Sequence, residues 1–222
     1  MHARTLLSTF ATLAAACSLA LGALISAPSH ADDYVEGEHY DVISPAVRAS
    51  SEKIEVTEFF WYGCGHCYNF EPQLSQWKKS LPEDVELKGS PAIWNRLMEI
   101  HAKAFYTAEV LGVLDQVHMP IFQALNVDRK RLASEDELAS IFAANGVAKD
   151  DFKKAFNSFG VGSQVRQANA RARSAKITGT PEMMVAGKYR ITTRKAGGQA
   201  EMLKIVDFLI EKERAALASA SL

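Results

Sequence analysis

The chain has 222 residues with a formal net charge of −1, and 48% of them are hydrophobic. No run of like charges is long enough to suggest nucleic acid or an anionic membrane surface as a partner. A chain of this length fits one domain, or one domain with an insertion.

The N-terminal segment has the pattern of a secretory signal peptide. Residues 5–25 are uncharged and rich in Ala and Leu, and a small-residue stretch ending at Ala31 follows them. We therefore expect residues 1–31 to be cleaved after Ala31. An uncleaved membrane anchor is the alternative, and Pro28 disfavours it. A lipoprotein cut before Cys17 is disfavoured because apolar sequence continues beyond that residue.

Cleavage would leave 191 residues with a net charge of about −2 and one pair of cysteines, Cys64 and Cys67. An exported protein meets an oxidising compartment. The redox state of this pair is therefore the main question that the sequence raises.

The residues before the pair predict strands. A short strand is expected at 39–43, and residues 53–61 alternate with Ile54, Val56 and Phe60 on one face, which predicts a half-buried strand. Glu58 falls in register with that apolar face. A buried carboxyl there would have a raised pKa and could exchange a proton with a buried thiol. The alternative is an exposed glutamate near the strand end.

The pair itself lies where the strand meets a predicted helix, residues 65–80. Cys64 and Cys67 are three positions apart. At the start of a helix this spacing places both sulfur atoms on one turn, close enough for a disulfide. Cys64 would lie at the free N–H groups and the positive end of the helix dipole, which stabilise the reactive thiolate. A protonated His66 would add positive charge. The pattern predicts a reversible dithiol/disulfide formed by Cys64 and Cys67.

Other uses of a cysteine pair fit less well. A structural disulfide would close too small a loop to stabilise the chain much by entropy. A zinc site needs two more ligands, and His101 and His118 lie 17 positions apart on separate segments. Covalent haem attachment needs His directly after the second cysteine, where this chain has Tyr68.

The rest of the chain predicts a strand, a helical block, and a return to strands. Pro72 should kink the first helix. Ser134 and Glu137 form a capping box, and Pro120 is expected to open a helix. We interpret His101 and His118 as ordinary packing or surface residues. The predicted strands are 85–91, 182–185 and 188–192, and the predicted helices are 96–111, 121–125, 134–144, 150–158, 162–176 and a last helix after Gly198 whose tail frays from Ala215.

The order of these parts resembles an α/β thioredoxin fold, in which Pro181 would be cis and face the two cysteines. An inserted all-helical domain at 93–175, between thioredoxin-like parts at 32–92 and 176–222, resembles the DsbA family. The resemblance covers essentially the whole mature chain. The local matches are Glu58-Phe59-Phe60, the Cys-x-His-Cys-Tyr motif, Phe70-Glu71, Leu81-Pro82-Glu83, Asn157-Ser158-Phe159 and Gly187-Lys188-Tyr189.

This resemblance implies a periplasmic thiol:disulfide interchange protein. It would donate the Cys64–Cys67 disulfide to unfolded or reduced exported proteins through a mixed disulfide at Cys64. His66 and the buried Glu58 would assist, and Thr180 and Pro181 would bind the substrate. A membrane DsbB-like quinone reductase would reoxidise it. No separate cofactor, metal or nucleic acid is implied, and we expect a monomer.

Two positions depart from the usual family pattern. The dipeptide between the cysteines is Gly65-His66, where the family most often has Pro-His, and Gly-His is the dipeptide of protein disulfide isomerase. Thr180 before the proline is also seen in bacterial isomerases. Both features favour a milder oxidant. Neither changes the reaction type. A disulfide isomerase, a reductase and a binding module with a structural disulfide stay as alternatives.

Overall fold

The computed structural model describes residues 34–48 and 52–220. These residues belong to one compact unit spanning 32–222. The predicted signal peptide, residues 1–31, lies outside the described residues. Among the described helices, none is long and apolar enough to cross a membrane.

A five-stranded sheet has the order β1-β5-β4-β2-β3. Strands β2 and β3 pair in parallel, and the other neighbours pair antiparallel. β4 and β5 form a hairpin, as predicted from the turn at Ala186-Gly187. The strands are β1 (Asp41–Val42), β2 (Ile54–Phe60), β3 (Val85–Pro91), β4 (Glu182–Val185) and β5 (Tyr189–Thr192).

Strand β2 is buried along its whole length, so the prediction of a half-buried strand was wrong. β2 lies inside the sheet, between β3 and β4, and structure covers both of its faces. The polar side chains on the other face of β2 can be buried because they form hydrogen bonds and an ion pair. Thr57 donates to the Glu55 carboxylate at 3.1 Å, and Lys88 lies 3.2 Å from the other oxygen of that carboxylate.

Eight helices are described. Within the described residues, helices are the only regular secondary structure between β3 and β4. The helices are α1 (Gly65–Lys78), α2 (Arg96–Val110), α3 (Leu114–Asn126), α4 (Glu135–Ala144), α5 (Lys149–Phe156), α6 (Phe159–Ser174), α7 (Thr193–Ala196) and α8 (Gln199–Ala220).

Two helices begin earlier than predicted: α3, and α6, which starts at Phe159 after the capping side chain of Ser158 rather than at 162. The capping box of Ser134 and Glu137 is confirmed at α4. Pro120, however, lies inside α3, which begins six residues earlier after an N-cap, Val113, without a capping side chain. α3 buries Val117 and Ile121, and this packing outweighs the one helical hydrogen bond that the proline removes.

The end of α8 also differs from the prediction. The helix continues through Ala220 rather than fraying from Ala215. The final turns are rich in alanine, which has the highest intrinsic helix propensity.

A single hydrophobic cluster joins the helical block to the cysteine motif. Phe60, Tyr62 and Cys67 pack in it with Phe105 of α2 and Phe122 of α3. The helical block therefore forms one wall of the site around the cysteines.

Candidate active site

The two cysteines occupy different environments one helical turn apart. Cys64 is the N-cap of α1, and the Cys67 amide donates to its Sγ at 3.3 Å. Both residues are free thiols, with Cys64 partly exposed and Cys67 fully buried. Cys64 is therefore the sulfur that a substrate can reach.

The environment of Cys64 favours its thiolate. A hydrogen bond from the Cys67 side chain lowers the pKa of the Cys64 thiol to about 5, against the opposing effect of burial. The Thr180 side chain and the backbone amides of Cys67 and His66 lower this pKa further. Cys64 is therefore ionised at neutral pH.

The side chain of His66 is exposed, and the group that acts on Cys64 is its backbone amide. The His66 carbonyl accepts a hydrogen bond from Gln199 Nε2 at 2.6 Å, which ties the start of α8 to the cysteine turn. The expected contribution of the imidazolium charge stays a prediction.

Cys67 has the opposite chemistry. Burial raises the pKa of its thiol, and the hydrogen bond to Cys64 and the charges of Glu58 and Cys64 raise it further. A Cys67 thiolate released from a disulfide therefore takes up a proton at once.

Glu58 is buried, with 3% of its surface exposed, so the alternative of an exposed glutamate does not hold. Burial raises the pKa of its carboxyl well above the ordinary value, and the charges of Glu71 and Cys64 add to this effect. Its Oε1 has no hydrogen-bond partner among the described residues. A protonated Glu58 has a proton to give to the Cys67 thiolate when the disulfide breaks.

His118, expected to be an ordinary packing or surface residue, is half-buried and pairs with two polar side chains near the site. Its Nδ1 lies 2.8 Å from the Tyr62 hydroxyl, and its Nε2 lies 3.1 Å from Glu71 Oε1. Glu58, Glu71 and His118 line a cavity of about 460 Å³. No spacing could have revealed this link, because His118 is 56 residues from Tyr62 and 47 from Glu71.

The loop before Cys64 is held by a second histidine. Trp61 Nε1 donates to His101 Nδ1 at 3.0 Å, and His101 Nε2 donates to the Leu132 carbonyl at 3.1 Å. Burial lowers the pKa of His101, which keeps its imidazole neutral and able to accept from Trp61. Gly63 leaves room for the Trp61 ring, because a Cβ at this position would overlap it.

Thr180 and Pro181 lie beside Cys64, as the resemblance implies. The peptide bond between them is cis, and Cys64 Sγ is 3.4 Å from the Thr180 carbonyl oxygen. This contact joins residues 116 positions apart. Only the family resemblance predicted that they lie together.

No group of three or more His, Cys, Asp or Glu side chains able to hold a metal ion occurs in residues 34–48 and 52–220. The chemistry that the described side chains support is thiol chemistry at Cys64 and Cys67.

The model of the DSBA-like thioredoxin domain family matches residues 84–205 of this chain. The chain is 42% identical to the thiol:disulfide interchange protein DsbA of Pseudomonas aeruginosa over 199 residues, which are 89% of this chain and 94% of the relative. The chain belongs to the DsbA family. DsbA of Azotobacter vinelandii is also 42% identical over 206 residues, covering 93% of this chain and 96% of the relative.

Solved structures of DsbA proteins have the same fold. The crystal structure of Pseudomonas aeruginosa DsbA superposes with a TM-score of 0.81 at 43% identity, covering 85% of this chain and 98% of that one. The oxidoreductase DsbA of Xylella fastidiosa gives 0.77 at 32% identity, covering 82% of this chain and 98% of that one. The protein is therefore a thiol:disulfide oxidoreductase with a thioredoxin fold and inserted helices.

Proposed function

We propose that this oxidoreductase works as a dithiol oxidase, which donates a Cys64–Cys67 disulfide to reduced exported proteins. The contrast between the two thiols is the observation that carries the proposal. Cys64 is reachable and ionises readily, whereas Cys67 is buried and holds its proton. Such a pair forms a disulfide with one exposed electrophilic sulfur and one internal leaving group.

The reaction begins when a substrate thiolate attacks Cys64 Sγ. A substrate–Cys64 bond forms, the Cys64–Cys67 bond breaks, and its electron pair goes to Cys67. Cys67 takes a proton from Glu58 because its own pKa is high. A second substrate thiolate then attacks the substrate sulfur of the mixed disulfide, and Cys64 leaves as a thiolate. The substrate loses two electrons and the protein gains them.

The direction of exchange follows from the stability of the leaving Cys64 thiolate. Each pKa unit below the ordinary thiol value stabilises the thiolate by about 1.4 kcal/mol. Stabilising the reduced form raises the reduction potential of the pair, so the disulfide tends to oxidise other thiols. The same thiolate would leave the mixed disulfide rapidly.

The location and partners proposed for the protein rest on the family resemblance and the N-terminal pattern. We place it in the periplasm after cleavage at Ala31, acting on unfolded or reduced exported proteins. A membrane DsbB-like quinone reductase would reoxidise it. The redox-active pair Cys64–Cys67 would serve without a separate cofactor, and the protein would act as a monomer.

The equilibrium reduction potential in glutathione buffers tests the direction of exchange. A reduction potential of about −120 mV, the value for DsbA, supports the oxidase. A value near about −180 mV supports an isomerase instead. A value below about −300 mV would mean a structural bond and would end the enzyme proposal.

Trapping tests the separate roles of the two cysteines. We expect Cys67→Ser to accumulate mixed disulfides with reduced substrate, because the resolving thiol is gone while Cys64 stays reactive. Cys64→Ser should trap nothing and lose oxidase activity, because Cys67 is buried. Non-reducing electrophoresis reads both outcomes, and equal trapping by the two variants would refute the assignment.

A further inference from the structure

A groove lies beside Cys64, on the side of the cis peptide bond. Its volume is about 400 Å³. We call it the Pro181 groove. It is lined by His66, Thr180, Pro181, Thr193, Arg194, Gly197 and Gly198.

Two hydrogen bonds hold the wall of the Pro181 groove in place. Thr193 Oγ1 donates to the Pro181 carbonyl at 3.1 Å, which connects the start of α7 to the cis peptide. Gln199 Nε2 donates to the His66 carbonyl at 2.6 Å, which connects the start of α8 to the cysteine turn. Arg194 lies between these two hydrogen bonds and carries a full charge. It therefore lines the groove from a segment that is fixed at both ends.

The charges at this groove are unbalanced. Its lining contains two basic residues, His66 and Arg194, and no acidic one. The neighbouring cations are already paired, since Arg190 and Lys195 both contact the Asp41 carboxylate. Arg194 is exposed and forms no ion pair with any residue that the structure describes.

The nearby carboxylates are also engaged. Glu182 accepts hydrogen bonds from the Thr178 amide and hydroxyl at 3.2 and 3.3 Å. Asp41 is shared between two cations. Among residues 34–48 and 52–220, no acidic side chain thus forms an ion pair with the Arg194 guanidinium at the groove.

We propose that the Pro181 groove selects cysteine-bearing segments that carry an Asp or Glu near the cysteine, with Arg194 pairing the carboxylate. This inference rests on the proposed function, because it concerns the segment whose thiolate attacks Cys64. A planar guanidinium suits a carboxylate, which it can bind through two parallel hydrogen bonds. A positive groove also raises the encounter rate with acidic segments.

Three peptides that differ at one position test the proposal. Each carries the same two cysteines, with Glu, Gln or Lys two residues after the first. The second-order rate of reduction of the oxidised protein is followed by stopped-flow fluorescence. Because a neighbouring charge changes the peptide's own thiol pKa, the useful quantity is the Glu/Lys rate ratio compared between wild type and variant.

We expect Arg194→Gln to lower the Glu/Lys ratio about two- to five-fold, the size of an exposed ion pair, and Arg194→Glu to lower it further. Arg173→Glu is the matched control, because Arg173 is an exposed arginine of α6 that does not line the groove. Arg173→Glu makes the same change in net charge as Arg194→Glu and should leave the Glu/Lys rate ratio unchanged. At about 1 M salt the effect of Arg194 should disappear.

The outcomes separate this inference from the proposed function. The inference is overturned if the Arg194 variants show the wild-type Glu/Lys ratio, or if Arg173→Glu shifts that ratio as much as Arg194→Glu does. In either case, oxidation of the Gln peptide by the wild type would still support the oxidase. If wild type oxidises none of the peptides, the oxidase proposal fails and the inference fails with it. Arg194→Gln alone decides the matter should Arg194→Glu not fold.

Discussion

Two identical thiol groups in this protein differ because their surroundings act on opposite ionisation states. At Cys64, hydrogen bonds from Cys67 and from nearby donors favour the thiolate. At Cys67, burial and the hydrogen bond to Cys64 favour the thiol. One sulfur becomes the leaving group for substrates, and the other becomes the internal partner that needs a proton.

Glu58→Gln should stabilise the protein increasingly as pH rises. The Glu58 carboxyl has a pKa well above its ordinary 4.5, so the folded state holds a proton that the unfolded state releases above that pH. The stability that this proton provides is present at low pH and is lost as pH rises. Urea unfolding of the reduced proteins at pH 4 and pH 8 should show the variant gaining about 1 to 3 kcal/mol on wild type between them.

Glu83→Gln provides the control for this prediction. Glu83 is exposed in the turn before β3, so its substitution removes the same charge without changing a buried site. Its stability relative to wild type should stay nearly constant between the two pH values. A Glu58→Gln variant that behaved in the same way would show that Glu58 carries no buried proton.

At the level of elements, the loop between β2 and α1 positions Cys64. Trp61 is held by its hydrogen bond to His101, and the Tyr62 carbonyl accepts from Asn126 Nδ2 at 2.8 Å. Both anchors come from the helical block. The cysteine turn therefore depends on helices that are distant in sequence as well as on its own cap.

Gly63→Ala should disrupt this loop. The added Cβ would overlap the Trp61 ring, so the ring must move and its hydrogen bond to His101 must break. We expect a loss of about 1 to 3 kcal/mol in unfolding free energy, with a change in tryptophan fluorescence. Chemical denaturation and emission spectra measure both.

Gly65→Ala is the matched control, because it adds the same methyl group two residues away. The nearest atom to its Cβ would be Asn126 Oδ1 at 3.8 Å, an ordinary contact. Its fluorescence and stability should stay close to those of wild type. Equal losses in both variants would mean that the contact of Gly63 with Trp61 is not what holds the loop.

At the level of the whole molecule, the thiolate links folding to redox state. The pKa of Cys64 falls from an ordinary 9.0 to about 5 on folding. Its contribution to stability is therefore complete above pH 9 and is lost as pH falls toward 5. The reduced protein should be more stable than the disulfide form at neutral pH, because only the reduced form contains the thiolate.

Reduced wild type should gain stability over Cys64→Ala as pH rises from 5 to 8. The expected gain is on the order of 1 to 2 kcal/mol, discounted from the full pKa shift because Cys64 is partly exposed to solvent. Urea unfolding of both proteins under reducing conditions measures it. Parallel stability curves for the two proteins would show that Cys64 is not ionised in the native state.

Much of the fold could be predicted from local patterns. β3 matched its predicted residues, β4 and β5 formed the expected hairpin, and the capping box of Ser134 started α4. α3 was placed wrongly because no capping side chain precedes it. Local signals act within about one turn of chain, so a helix end without one is hard to place. A cap alone is not sufficient, since α6 began three residues before its predicted start despite the Ser158 cap.

The sequence by itself determined the reactive pair and its position. A period-two apolar run leading into a helical pattern places Cys64 at a helix start, where the backbone amides favour its thiolate. These are properties of neighbours along the chain. The alternation likewise put Glu58 on the apolar face of β2 before any contact was known.

Only the tertiary structure decided how these groups are surrounded. Both faces of β2 are buried by parts of the chain that are distant in sequence. The contacts of His118 with Tyr62 and Glu71, and of the Thr180 carbonyl with Cys64, join positions 47 to 116 residues apart. The order of strands and the packing of the helices create these contacts, and no local spacing encodes them. Because a pKa depends on every nearby charge and on depth from solvent, the difference between the two thiols is a property of the folded molecule.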